Sequence, residues 1–360
     1  METVTLDGLD RALLHALHVD GRAPFRRIAE VLGVSDQTVA RRYQRLRAAG
    51  VVRVVGRTDA RLLGQVDWLT RIRCVPDAAA PLAEALARRP DTSWVSLLSG
   101  GEIVCNARAR LRPEREELLL GALPRSPRVL SVSAHYLLRT YVGGQVAWSG
   151  RTSALTDGQI ARLRAAAGTG PTAAKAPGLP HVPGVPDVPH VPGVPDVPDV
   201  PDVLDGLDGL DGLDRALLAA LAVDGRAPLA ALAAASGSPE TTVRRRLAAL
   251  VDGGLLFFDV DVDPRPLGFE VEAFCWLTVA PGRLAAVGRA MAEHPEVGFV
   301  AATTGPSNLV AGLVCRDTGA FYDYLTQGLG ELEGVVAVET APLLRSVKRA
   351  GMIMPSSNNP

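Results

Sequence analysis

The residues of this chain best suited to chemistry are arginine, glutamine and threonine gathered on one helical face, and the chemistry is recognition. In the stretch SDQTVARRYQRLRAAG, from Ser35 to Gly50, helical spacing puts Val39, Tyr43 and Leu46 on one side. Gln37, Arg41 and Gln44 point the opposite way, with Thr38 and Arg45 on a flank. Such a face offers contacts to both base edges and phosphates. A second stretch, from Ser238, repeats the arrangement: Val243, Leu247 and Leu250 point inward, and Thr241 and Arg245 outward. Thr242 takes a flank there, and Arg244 and Arg246 the edges. The bland alternative in both places is an ordinary solvated, arginine-rich surface.

The elements that must hold these faces favour double-stranded DNA. Leu9, Leu13, Leu14 and Leu17 predict a helix over Asp10–Val19, closed by Asp20-Gly21. Pro24 suits the opening turn of a second helix through Leu32, and Gly33 stops it. Ser35 can cap the third, which runs to Ala49. Helix, short glycine turn and longer helix make a helix-turn-helix, whose second helix enters the major groove. The second copy predicts the same, with Ser238 as cap and Pro239 at the first helical position.

These units are duplicates. LDGLDRALLHALHVDGRAP from Leu6 and LDGLDRALLAALAVDGRAP from Leu210 differ only where His15 and His18 become Ala219 and Ala222. Charge separates them: residues 1–57 hold ten arginines against six acids, and residues 205–258 five against seven. Phosphate contact supplies most non-specific affinity, so the first copy is expected to grip DNA harder. Between the copies, Pro180–Val203 repeats Pro-x-Val, which favours a polyproline spacer about 70 Å long. A ruler between two binding units and a tolerated slippage product both fit it. Before it, Thr156–Ala167 predicts a short helix with Thr156 and Gln159 as a capping box.

Composition narrows the function classes. The 360 residues carry 38 basic and 39 acidic side chains, which excludes a uniformly basic wrapper of nucleic acid. Four scattered cysteines, Cys74, Cys105, Cys275 and Cys315, form no C-x-x-C pair. No glycine phosphate loop, metal constellation or Ser-His-Asp order appears, so no catalytic residue, metal or cofactor is expected. Without a long apolar run or a secretory signal pattern, the expectation is a cytoplasmic protein with no membrane partner.

Each unit continues into alternating strand and helix signals. In the second copy they fall at Val271–Val279, Arg283–Glu293, Val297–Thr303, Asn308–Cys315, Asp317–Leu329 and Val335–Val347. In the first they fall at Trp68–Val75, Ala79–Arg88, Trp94–Ser99, Ile103–Ala109, Pro113–Leu123 and Val129–Val142. The order βαββαβ is ferredoxin-like, with helices on one sheet face and the other free to pair. The expected class is α+β, with two copies of a winged or three-helix helix-turn-helix followed by a ferredoxin-like sensor. Expected boundaries are helix-turn-helix domains at 1–55 and 205–258, ferredoxin-like domains at 56–148 and 259–350, and a linker at 149–204.

With these stretches, the VDPRPLG hinge and TTGPSNLVAGLVCRDTGAFYDYLTQGLGELEGVVAVETAPLLRSVK, the chain resembles the Lrp/AsnC, or feast/famine, regulators. The resemblance covers most of the chain outside the linker, and it occurs twice. It implies that Ser35, Thr38, Arg41, Arg42 and Arg45 lie on a recognition helix. It also implies that Thr304, Gly305, Ser307 and Asn308 form a turn where relatives bind amino-acid effectors between subunits. A glycine turn exposes N–H groups to a carboxylate, and Ser and Asn can orient an amine. An ordinary hairpin turn is the alternative. In the first copy the turn is one residue shorter and sets Glu102 opposite Asn308, where it would repel a ligand carboxylate.

The resemblance also implies self-association through the ferredoxin-like domains, whether between the two halves of one chain or in a larger assembly. The expected function is a DNA-binding transcription regulator responsive to a small effector, and no enzyme. The alternative is a sirohaem-type tetrapyrrole decarboxylase on the same architecture, for which His135 is the one histidine well placed in a predicted strand. A scaffold with silent helix-turn-helix units is the third reading.

Overall fold

The computed structural model describes residues 5–110, 126–143, 154–165 and 210–354. The helix expected at Pro113–Leu123 and the Pro-x-Val spacer lie outside the described residues.

The first unit opens with α1 (Gly8–Val19), α2 (Phe25–Leu32) and α3 (Asp36–Ala48). Asp7 caps α1 and trades hydrogen bonds with Asp10 three residues on. Pro24 lies just outside α2 as its N-cap residue, and Gly33 ends that helix at φ +69°, a left-handed conformation glycine adopts without strain. Strand β1 (Val52–Thr58) follows. The sensor part comprises β2 (Gln65–Cys74), α4 (Ala79–Ala87), β3 (Thr92–Leu98), β4 (Glu102–Arg110) and β5 (Val129–Val142). Helix α5 (Asp157–Ala165) comes next.

The second unit repeats this with α6 (Gly212–Val223), α7 (Leu229–Ser236), α8 (Glu240–Asp252) and β6 (Leu256–Val262). Its sensor part has β7 (Val271–Val279), α9 (Leu284–Glu293), β8 (Val297–Thr303), β9 (Leu309–Cys315), α10 (Thr318–Asp323) and β10 (Val335–Arg349). The wider π-helical turn Tyr324–Gly328 continues α10, and β11 (Met352–Ile353) folds back on β10. One cap differs from expectation: α8 begins at Glu240 with Pro239 at its N-cap, and the Ser238 hydroxyl turns back to the Ser236 carbonyl.

Strand pairing joins the halves. β1 and β6 form an antiparallel two-stranded ribbon between the two helix-turn-helix units. The sensor strands form one sheet in which β10 pairs with both β3 and β7. Among the described residues this closes a ring of eight strands, β2-β4-β3-β10-β7-β9-β8-β5. The long strands β5 and β10 make the closure. β5 pairs with its own β2 as far as Tyr136, then with β8 of the other copy from Leu137. β10 likewise leaves β7 after Pro342 and joins β3 from Leu343. Each changes partner beside a register shift, at Leu138 and at Leu344, and both leucines stand exposed.

Alternation along the strands supplies two kinds of core. Ile72, Ile103 and Cys105 pack outward against Ala83 and Leu86 of α4, and Cys275, Leu277 and Leu313 do so against Val287 and Met291 of α9. Between them, Leu69, Val104, Trp276 and Val310 point the other way and meet inside the ring. The two sensor copies thus bury their free sheet faces on each other within one chain.

Candidate nucleic-acid interface and effector turn

The recognition helices are held by their own arginines. Asp10 in the first turn of α1 is fully buried. Arg42 reaches it at 2.8 Å and Asp7 at 2.6 Å, and Arg45 reaches it at 2.5 Å. In the second unit Arg246 grips the equally buried Asp214 with two bonds of 2.5 Å. A buried carboxylate without a cation would be strongly destabilising, so these arginines face inward for a reason. This corrects the expectation that Arg42, Arg45 and Arg246 belong to the outward face: they fix each recognition helix against its first helix. Ser35 caps α3 by accepting from the Thr38 N–H at 3.1 Å, and the two hydroxyls lie 2.8 Å apart. Gln37, Arg41 and Gln44 on α3, and Thr241, Arg244 and Arg245 on α8, stand exposed, with Thr242 half-buried.

A reciprocal staple fixes one unit against the other. Arg22 donates to the carbonyls of Gly225 and Ala227 at 2.6 and 3.1 Å, and Arg226 to those of Gly21 and Ala23 at 2.6 and 2.8 Å. Arg226 also lies 4.4 Å over the Phe25 ring, and Arg22 5.3 Å over that of Phe258. The Gly225 N–H donates to the Val54 carbonyl at 2.8 Å. A Cβ on Gly225 would stand 2.9 Å from the Val54 backbone, so the ribbon can approach only glycine there.

The expected effector turn sits where the copies meet. Thr304 exchanges two bonds with Tyr136 of β5: its N–H reaches the Tyr136 carbonyl at 3.2 Å, and its hydroxyl accepts from the Tyr136 N–H at 3.0 Å. Gly305, at φ +107°, lies against the His135 ring. Burial, and then the charge of Arg71, push the His135 pKa down, so its imidazole is held neutral. Asn308 differs from expectation. Its amide donates to the Val279 carbonyl at 2.7 Å and accepts from the Val279 N–H at 2.9 Å, so it clamps the turn to β7 and is not free to orient an amine. Thr303 donates to the Ser307 carbonyl at 2.9 Å, bracing the same turn.

The matching place in the first copy is filled from within. Glu102 pairs with Arg71 of β2, which also holds Glu339 of β10 by bonds of 2.6 and 3.0 Å. The Arg71 guanidinium lies 3.8 Å over the Trp276 ring. Hydrogen bonding to Arg71 keeps the Glu339 carboxyl below the usual range.

Other chemistry has little material. Cys105 and Cys275 are buried thiols pushed up to about 12, mainly by burial. Among the described residues no group of three or more His, Cys, Asp or Glu could hold a metal, and no helix is long and apolar enough to cross a membrane.

Comparison with known proteins matches this geometry. The AsnC-type helix-turn-helix domain matches residues 6–47 and again 210–251, and the Lrp/AsnC ligand binding domain matches residues 272–353. A Pyrococcus furiosus protein described as an uncharacterized HTH-type transcriptional regulator is 31% identical over 129 residues, spanning 36% of this chain and 86% of its own. This chain belongs to the Lrp/AsnC family. A Pyrococcus horikoshii protein of the same description is 29% identical over 138 residues, 38% of this chain and 87% of its own. Each such Lrp/AsnC relative is thus matched over most of its length by little more than a third of this chain. The solved structure of the sirohaem decarboxylase NirDL superposes with a TM-score of 0.55 over 91% of this chain and 87% of its own. At 13% identity that likeness is one of fold. The Lrp/AsnC ligand-domain match falls on the second sensor copy, whose turn lacks the Glu102 carboxylate.

Asp10, Asp214, Arg22, Arg226 and Arg71 were not picked out from sequence. The first four carry a signal nonetheless: all lie inside the near-identical stretches that begin at Leu6 and Leu210.

Proposed function

We propose that this chain is a sequence-specific transcription regulator that binds double-stranded DNA in the cytoplasm through α3 and α8 and answers to a small effector, an amino acid. One observation carries the reading: two exposed polar recognition faces are held in fixed relation by the Arg22–Arg226 staple and the β1–β6 ribbon. Two-fold presentation of such helices is the arrangement that reads paired half-sites. Gln37, Arg41, Thr241, Arg244 and Arg245 then contact DNA, with Ser35, Thr38 and Thr242 at the helix starts. Thr304, Gly305 and Ser307 supply the effector turn, which Asn308 braces.

The sensor reaches the DNA-binding part through charge. Arg349 at the end of β10 holds Asp261 of β6 at 2.9 Å, and Arg53 of β1 holds the same carboxylate at 2.5 Å. A change in how the sensor copies meet is therefore felt at the ribbon that joins the two reading units.

Binding of the purified chain to its own upstream DNA at two salt concentrations tests the reading. Together, Arg41→Ala and Arg245→Ala should weaken binding by about 100-fold and make the salt slope less steep by about 2. Equal affinity for random DNA at low salt would remove the proposal. With an amino-acid mixture, calorimetry should find one effector per chain, because Glu102 and Arg71 fill the other position. Two equivalent sites would contradict that asymmetry.

The decarboxylase reading has one observation in its favour: His135 lies at the copy interface of a fold shared with NirDL over most of the chain. Against it, Arg71, the cation whose charge reaches His135, is already held by two carboxylates. A tetrapyrrole decarboxylation assay is expected to give no turnover.

A further inference from the structure

The two positions that break the near-perfect repeat, His15 and His18, become Ala219 and Ala222 in the second copy. His15 has a partner that the second copy lacks. Its Nδ1 accepts the backbone N–H groups of both Ala154 and Leu155, at 3.2 and 3.1 Å, where the chain enters α5. From there α5 lies across α1 and α2. Leu163 is fully buried in the first helix-turn-helix core, with Leu155 and Ile160 packed beside it. Gln159 and Arg162 both donate to the Val31 carbonyl, near the end of α2 and just ahead of the turn into α3. The covered face is apolar: Leu14 and Val19 are buried under the strap, whereas in the second copy Leu218 is half-buried and Val223 is 67% exposed.

We infer that residues 154–165 are a strap latched onto the first helix-turn-helix unit by neutral His15, and that acid releases it. Protonation puts a hydrogen on Nδ1, facing two N–H donors, so both latch bonds become repulsive contacts. Burial, and then the charge of Arg164 on α5, already hold the His15 pKa below the ordinary histidine value. The other charged groups on the packed elements are engaged elsewhere. On α5, Arg162 reaches Val31; on α2, Arg26 pairs with Glu30, and Arg27 faces Asp20. On α3, Arg42 and Arg45 hold Asp10, and on β6, Asp261 is taken by Arg53 and Arg349. No carboxylate is thus placed to stabilise the imidazolium. A lowered folded-state pKa means the latch contributes fully above the ordinary histidine range and is lost as pH falls through the folded value. Release frees the Val31 carbonyl and gives the first unit the same open face that the second already has.

Hydrogen exchange of the full chain tests this, read as protection factors for amides 154, 155 and 160–164 at about pH 7.5 and about pH 5. Wild-type protection should fall by about tenfold or more on acidification. His15→Ala should show the low value at both pH values; its unit should fold, since the second copy carries Ala219 at that position. Leu163→Asp, which undocks the strap without touching the latch, gives the released value for comparison. Wild-type protection that persists at the lower pH, or His15→Ala as protected as wild type at the higher, overturns the proposal. So does an equal loss across α2 and α3, because that would be unfolding of the whole unit.

Discussion

Replacing Arg42 and Arg45 together by alanine is expected to destabilise the first helix-turn-helix unit by about 3 kcal/mol, and Arg246→Ala alone should do the same to the second. Removing the cations from a buried carboxylate costs about 3–5 kcal/mol; the lower end applies because Arg45 and Arg246 are partly solvated. The two units differ in number. Asp10 has two arginines, so Arg42→Ala alone leaves Arg45 in place and costs less. Asp214 is held closely by one, because the position of Arg45 is Ala249 in the second copy. Exposed Arg41→Ala should stay within about 0.5 kcal/mol of wild type. Urea unfolding of the full chain, followed by helix signal, reads all four. Arg246→Ala melting like wild type would show that Asp214 does not depend on that pair.

Arg71→Ala is expected to open the contact between the sensor copies at neutral pH, with a loss of about 2–4 kcal/mol. The substitution leaves Glu102, which is nearly buried, without its cation. It also sets Glu339 against Glu102 with nothing between them and uncovers the Trp276 ring. The sign of the pH dependence follows from Glu339. Arg71 holds its carboxyl below the usual range, so its contribution is present above the ordinary glutamate value and fades as pH falls through the lowered one. The variant lacks that component, so the stability gap between wild type and Arg71→Ala should narrow in acid. Thermal melts at a series of pH values check it, and a gap that widens in acid would contradict the assignment.

Periodicity made the helices and most sensor strands legible. Val129–Val142, Val271–Val279 and Val297–Thr303 carry the same bounds in the sequence reading and in the structure. The β1–β6 ribbon went unread, because a lone two-stranded ribbon depends on the partner unit to bury it and leaves only a weak local pattern. The wheel placed Arg41 and Gln37 outward correctly. It could not see that Arg42 and Arg45 bend back, because a long side chain goes to the charge it can neutralise, here on a helix more than thirty residues earlier. Asn308 was misread for a related reason: its amide is satisfied by Val279, which no spacing rule connects to it. The α5 capping box was visible in Thr156 and Gln159, but its docking needed His15, far away in sequence.

The closed strand ring has a consequence for evolution and for dilution alike. In a homodimer each substitution is made twice and must suit both sides of the symmetry axis. Here β5 and β10 complete each other's sheets within one covalent chain, so Glu102 can face Asn308's counterpart without Asn308 changing, and one recognition helix can drift while the other keeps its target. The matched operator then need not be a palindrome. Closure of the ring is also first-order, so reading two half-sites at once should survive dilution that would dissociate a pair of separate chains.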